Sequence, residues 1–153
     1  MKSKFALMAL VCIFIVMSWR LVTQSLVRGD WSGRPSGMEL RAANEDLELP
    51  ENSDVRTQKA LSRGTFIGRT AEAKAALTVD VASRHFIDLA RRHDWTLRSD
   101  RFVAMGRRMI FCNGRLSHDI ELSARGRETL IYAGTYWDTD VNSLRYCKDK
   151  IAR

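Results

Sequence analysis

Apolar residues run along this chain in three different rhythms. The first is an unbroken block from Phe5 to Trp19, in which only Ser18 is polar. Lys2 and Lys4 precede it, and Arg20 interrupts it before Leu21 and Val22. The second is helical. Val79, Ala82, Phe86, Leu89 and Ala90 recur at i, i+3, i+7, i+10 and i+11, while Asp80, Arg84, Asp88, Arg91 and Arg92 fall on the opposite side. The third begins after Trp95 and alternates. Leu116, His118, Ile120 and Leu122 alternate with Ser117, Asp119, Glu121 and Ser123, which is the pattern of a half-buried strand.

Each rhythm predicts an element. A charged start followed by an apolar core has the form of an export signal. Through Val22 the run covers about 27 Å as a helix, close to a hydrocarbon core of about 30 Å. Val16-Met17-Ser18 is a marginal cleavage site, and Val11 stands where a lipoprotein needs a small residue before Cys12. An uncleaved signal-anchor is therefore expected, with the N-terminus cytoplasmic, or a secreted protein if the signal is cut. The helical rhythm predicts one long amphipathic helix over Ala71 to His93, with Thr70 as N-cap. Asp80 to Arg84 and Asp88 to Arg92 are favourable i, i+4 pairs.

Alternation predicts strands beginning at Trp95, at Met109 to Cys112, at Leu116 to Ser123 and at Thr129 to Trp137. Asn113-Gly114 and Arg125-Gly126 mark the turns between them. Val141 to Lys150 fits a short helix or a return strand. Residues 28–64 hold Gly29, Gly33, Pro35 and Gly37 and then an acidic patch, with no sustained period, and so read as a flexible linker with a short helix near Met38 to Leu47. The expected fold class is α+β: an N-terminal membrane segment, residues 1–27, then the linker, then a domain over residues 65–153. In that domain one long helix packs on a three- or four-stranded antiparallel sheet.

Cysteines bear on the compartment. Cys12 lies in the apolar block, which leaves Cys112 and Cys147 as an even pair in the folded part. A disulfide between them persists only in an oxidising compartment, and the export signal points the same way. The folded domain is thus expected outside the cytoplasm, periplasmic or extracellular, at the cell membrane.

The formal charge of +7 favours an anionic partner. Nucleic acid conflicts with that compartment, and Asp80, Asp88, Asp94, Asp100, Asp119 and Glu121 break the basic runs into an ordinary solvated surface. No constellation for catalysis or cofactor binding stands out. His85 and His93 are eight apart on a helix and cannot share a metal as an i, i+4 pair would. His118 points away from Asp119 and Glu121 on an alternating strand. Tyr132 and Tyr136 share one strand face and Trp137 the other; with Arg115 and Arg127 nearby in sequence they form a candidate interaction surface, because Tyr, Trp and Arg dominate binding hot spots.

The expected function is a membrane-tethered, protein-binding module of the cell envelope. An immunity or inhibitor protein is one form of it. A structural subunit of an envelope assembly is the alternative, and a small hydrolase or carbohydrate-binding domain comes third. Alkylation of the unreduced protein followed by mass spectrometry tests the disulfide: Cys112 and Cys147 should both escape labelling, and modification of both would contradict the pairing.

Overall fold

The computed structural model describes residues 12–19, 29–46 and 48–148. The chain divides into two compact units, Met1–Asp30 and Trp31–Arg153. In the first, residues 12–19 form a helix, α1, whose Cys12 is exposed. Among the described residues no helix is long and apolar enough to cross a membrane. The expected single-pass signal-anchor is corrected on this ground. The parts of that expectation resting on residues 1–11 and 20–28 lie outside the described residues.

The second unit is mainly β, which corrects the α+β expectation. Its elements are helix α2 (Gly37–Glu45), strands β1 (Asp54–Arg63) and β2 (Phe66–Ala75), helix α3 (Val79–Arg92), and strands β3 (Thr96–Val103), β4 (Gly106–Asn113), β5 (Leu116–Arg125) and β6 (Glu128–Asp138). All six strands join one antiparallel sheet in the order β1-β2-β6-β5-β4-β3. Strands β3 to β6 form a meander, and β2 closes against β6 with Ala73 opposite Ile131 and Ala71 opposite Ala133. Helix α3 carries the chain from β2 across to β3 at the far edge.

Three expectations change, each for a physical reason. The long helix over Ala71 to His93 is only fourteen residues, and Ala71, Ala73 and Ala75 belong to a strand. Alanine favours helices, but here it lets α2 and α3 approach the sheet closely, and pairing with β1 and β6 overrides the propensity. The N-cap is therefore Thr78, whose Oγ1 accepts from the Val81 N–H at 3.3 Å, while Thr70 sits in mid-strand. Residues 28–64 also carry order. Ser36 caps α2 in a reciprocal capping box with Glu39, and β1 is an edge strand exposed along most of its length. A strand wet on both faces shows no hydrophobic alternation. Finally, Val141 to Lys148 is neither helix nor strand, but a run of turns after β6.

The core lies between one sheet face and the two helices. Met109, Phe111, Ile120, Leu122, Ile131 and Ala73 of the sheet meet Ala82, Phe86 and Leu89 of α3 and Ala43 of α2. The opposite face has a different chemistry. A Cβ placed on Gly134 would come within 2.8 Å of the Tyr136 ring, and one on Gly68 within 2.5 Å. The ring thus lies flat on two glycines and buries itself against bare backbone. Its hydroxyl sits 3.2 Å from that of Tyr132, and burial pushes its pKa up.

One polar chain threads the core. His118, on the helix-facing side of β5, stacks on Trp95 at 3.6 Å, and its Nδ1 lies 2.8 Å from Thr135 Oγ1. Thr135 in turn donates to Asn44 Oδ1 at 3.2 Å. Since the single threonine hydrogen goes to Asn44, the imidazole must donate from Nδ1. That leaves Nε2 as a lone pair with no partner among the described residues. A neutral ring fits such a site, and burial lowers the His118 pKa from 6.5 to about 3. Between those values the unfolded chain binds a proton that the folded chain refuses. Stability should therefore fall as the pH drops from about 6.5 toward 3, by roughly 4 kcal/mol from this residue. Urea unfolding across that window should give a flatter profile for His118→Gln than for the native chain; equal slopes would contradict the neutral buried ring.

Candidate protein-binding edge

A six-stranded open sheet has two free edges, and these two differ. Strand β1 presents Arg56, Lys59 and Arg63, with Val55 as its one large exposed apolar side chain. Strand β3, bonded only to β4, leaves Leu97 44% and Val103 41% exposed, while Phe102 is 81% and Met105, in the turn that follows, 70% exposed. Large side chains this open to water, grouped at one hairpin, are unusual on a soluble surface. Edge strands are commonly blunted by charged side chains, of which β1 carries Arg56, Lys59 and Arg63.

The hairpin tip is held in place. The Met105 carbonyl accepts from the Ala124 N–H at 2.8 Å, tying the tip to the end of β5. Gly106 passes so close to Leu122 that a Cβ would meet its carbonyl oxygen at 1.7 Å, and only glycine fits there. Arg107 packs its guanidinium 5.5 Å from the Phe102 ring and forms a two-pronged ion pair with Asp100. That pair holds the Asp100 carboxyl below its usual pKa. The exposed apolar groups thus sit on a rigid support, which lowers the ordering cost of docking.

Beside the first half of β3 lies an open cavity of about 550 Å³. Thr96 and Arg98 form its strand side, the Cys112–Cys147 disulfide its floor, and Val141, Tyr146 and Lys148 its other wall. Arg98 occupies a β-bulge, opposite no residue of β4. The wall comes from the segment after β6, which three contacts fasten to the sheet. The disulfide joins it to β4. Arg145 reaches Asp119 at 2.7 Å and covers the Tyr136 ring at 4.2 Å. Arg115 donates to the Cys147 carbonyl at 2.7 Å and lies 4.4 Å from the Tyr146 ring.

The residues singled out from the sequence are not gathered into one surface. Trp137 is buried on the helix-facing side, beside Trp31 and donating to the Ser32 carbonyl. Tyr136 is buried on the opposite face beneath Arg145, and Tyr132 is half-buried next to it. Arg115 and Arg127 sit at opposite ends of β5, about 34 Å apart for a ten-residue strand. Arg127 is exposed, whereas Arg115 is 4% exposed and also bonds the Ser32 and Asp138 carbonyls. Cys112 and Cys147 do pair, with Cα atoms 5.8 Å apart.

The histidines do not converge on a reactive centre. His85 Nε2 lies 2.9 Å from the Glu48 carbonyl, His93 Nδ1 lies 3.2 Å from Asp46, and His118 is buried. Among the described residues no three His, Cys, Asp or Glu side chains could hold a metal. The hairpin tip was missed in the sequence, although it leaves a trace there. Phe102-Val103-Ala104-Met105 is apolar directly before Gly106, where a turn is normally polar.

These placements separate structural from superficial arginines. Arg115→Met strips a buried cation from three backbone carbonyls and should cost about 2–4 kcal/mol in chemical denaturation. Arg127→Ala should stay within about 0.5 kcal/mol. Equal effects would contradict the tying role of Arg115. Searches against protein families, characterised proteins and solved structures find no match to this chain.

Proposed function

We propose that this chain is a protein-binding module of an oxidising, extracytoplasmic compartment, and that it docks its partner on the β3–β4 hairpin. The observation that carries the reading is the exposure of Phe102 and Met105 on a hairpin fixed by Ala124 and Gly106. Apolar anchors on a rigid support are the residues that dominate binding energy in protein interfaces. The Cys112–Cys147 disulfide supports the compartment, since such bonds seldom persist among cytosolic thiols. An inhibitor or immunity protein that covers the site of a hydrolase or toxin is the form of module that a projecting hairpin suits best.

The test places a photoreactive benzoylphenylalanine at position 102, at 105, and at 59 on β1, in the native cell. Adducts to one protein from 102 and 105 but not from 59 are expected. That protein, once purified, should bind the native chain about 100-fold more tightly than Phe102→Asp/Met105→Asp, whose melting temperature should be unchanged because both sites are exposed. Adducts of equal yield from β1, or undiminished binding by the double variant, would count against the hairpin.

A further inference from the structure

We propose that the partner segment is an acidic, extended peptide that adds to β3 as a seventh strand and seats one large apolar side chain in the cavity over the disulfide. This rests on the docking reading above and names the chemistry of what docks. Strand β3 is the end of the sheet, so its outward N–H and C=O groups meet no other strand among the described residues. A strand laid along them would present every second side chain to the face opposite the helices. That is the face bearing Thr96, Cys112 and the cavity. Its floor and far wall, the disulfide with Val141 and Tyr146, are apolar and suit an aliphatic or aromatic side chain.

Charge selects the rest of the ligand. Arg98 and Lys148 border the cavity, and Arg101 follows on the same face of β3. None of the three makes an ion pair with a described residue. The neighbouring cations are already committed, Arg107 to Asp100 and Arg108 to Asp119. Three cations without a described ion-pair partner, two at the cavity and Arg101 beyond it on β3, favour a partner with carboxylates at alternate positions. The same cations disfavour a second copy. Antiparallel pairing of two β3 strands in the register that sets Arg98 opposite Arg101 of the second copy would place like charges directly opposite, which is destabilising. Strand β1 of another copy is no better, since it carries Arg56, Lys59 and Arg63.

The experiment uses the full chain and four fluorescent probes. The first is an eight-residue peptide alternating glutamate with valine and holding one central phenylalanine. The second replaces glutamate by lysine, the third carries N-methyl groups on alternate backbone nitrogens, and the fourth is a single-stranded oligonucleotide. The acidic peptide should saturate, the lysine peptide should not, and N-methylation should weaken binding at least about tenfold by removing strand hydrogen bonds. Arg98→Glu/Lys148→Glu, both at the surface, should weaken the acidic peptide by about tenfold or more with an unchanged melting temperature. Failure of the acidic peptide to bind, or equal binding by the N-methylated peptide or the oligonucleotide, would overturn the proposal. If that happens while the cross-link at 102 persists, this inference alone falls. If both are lost, the docking reading falls with it.

Discussion

The carboxylate of Asp119 sits in the middle of a sheet face, 3% exposed, and most of that face is organised around neutralising it. Arg108 of β4 grips it with two hydrogen bonds at 2.9 and 2.7 Å, and Arg145 adds a third at 2.7 Å. A buried charge left without a partner is strongly unfavourable, so the fold keeps both arginines in reach. Arg108 comes from the next strand at no topological cost. Arg145 comes from beyond β6, and the chain must turn back across the sheet to deliver it. Once there, its guanidinium lies over Tyr136, and the ring has nowhere to rest but on Gly68 and Gly134. The two glycines, the tyrosine and the ion triad form one stack in which each layer sets the shape of the next.

The disulfide and Arg115 act on the same returning segment from its other end. Cross-linking residues 35 apart removes unfolded-state entropy worth about 3–4 kcal/mol in the loop-closure picture. Arg115 bonds carbonyls at Ser32, Asp138 and Cys147, and so gathers the approach to α2, the end of β6 and the end of the returning segment at one point. The cavity beside β3 exists because of this arrangement. Its far wall is the returning segment, and its strand wall is a β-bulge that turns Arg98 toward it. The cavity is thus a by-product of how a buried carboxylate and an even pair of cysteines were satisfied.

The two sheet faces divide the labour. The helix-facing side holds the apolar core, and one hydrogen-bonded chain through it, Asn44 to Thr135 to His118, ties α2 to the sheet. His85 and His93 hold the same stretch of chain from outside, at Glu48 and Asp46. All three histidines therefore brace the exit from α2. The opposite face is more polar, with the Asp119, Arg108 and Arg145 triad at its centre.

Some of this was written into the chain alone. The 3.6-residue rhythm of Ala82, Phe86, Leu89 and Ala90 identified the buried side of α3, and alternation of apolar with polar residues identified β5 as a strand, although its polar side, with Ser117 and Asp119, is buried too. The pairing of Cys112 with Cys147 was readable because only two cysteines lay in the folded part. Strands β1 and β2 were not legible. An edge strand wet on both faces carries no alternation, and an alanine-rich strand imitates a helix until its partners are known. The interaction surface was misread for a related reason. Tyr132, Tyr136 and Trp137 were grouped because their residue types dominate interfaces, but exposure of Tyr136 and Trp137 is decided by Arg145 and Trp31, which arrive from distant parts of the chain. Local pattern determined which segments bury a face. Only the tertiary structure decided which face stayed open, because covering a face is a property of what packs on it, not of the residues it contains.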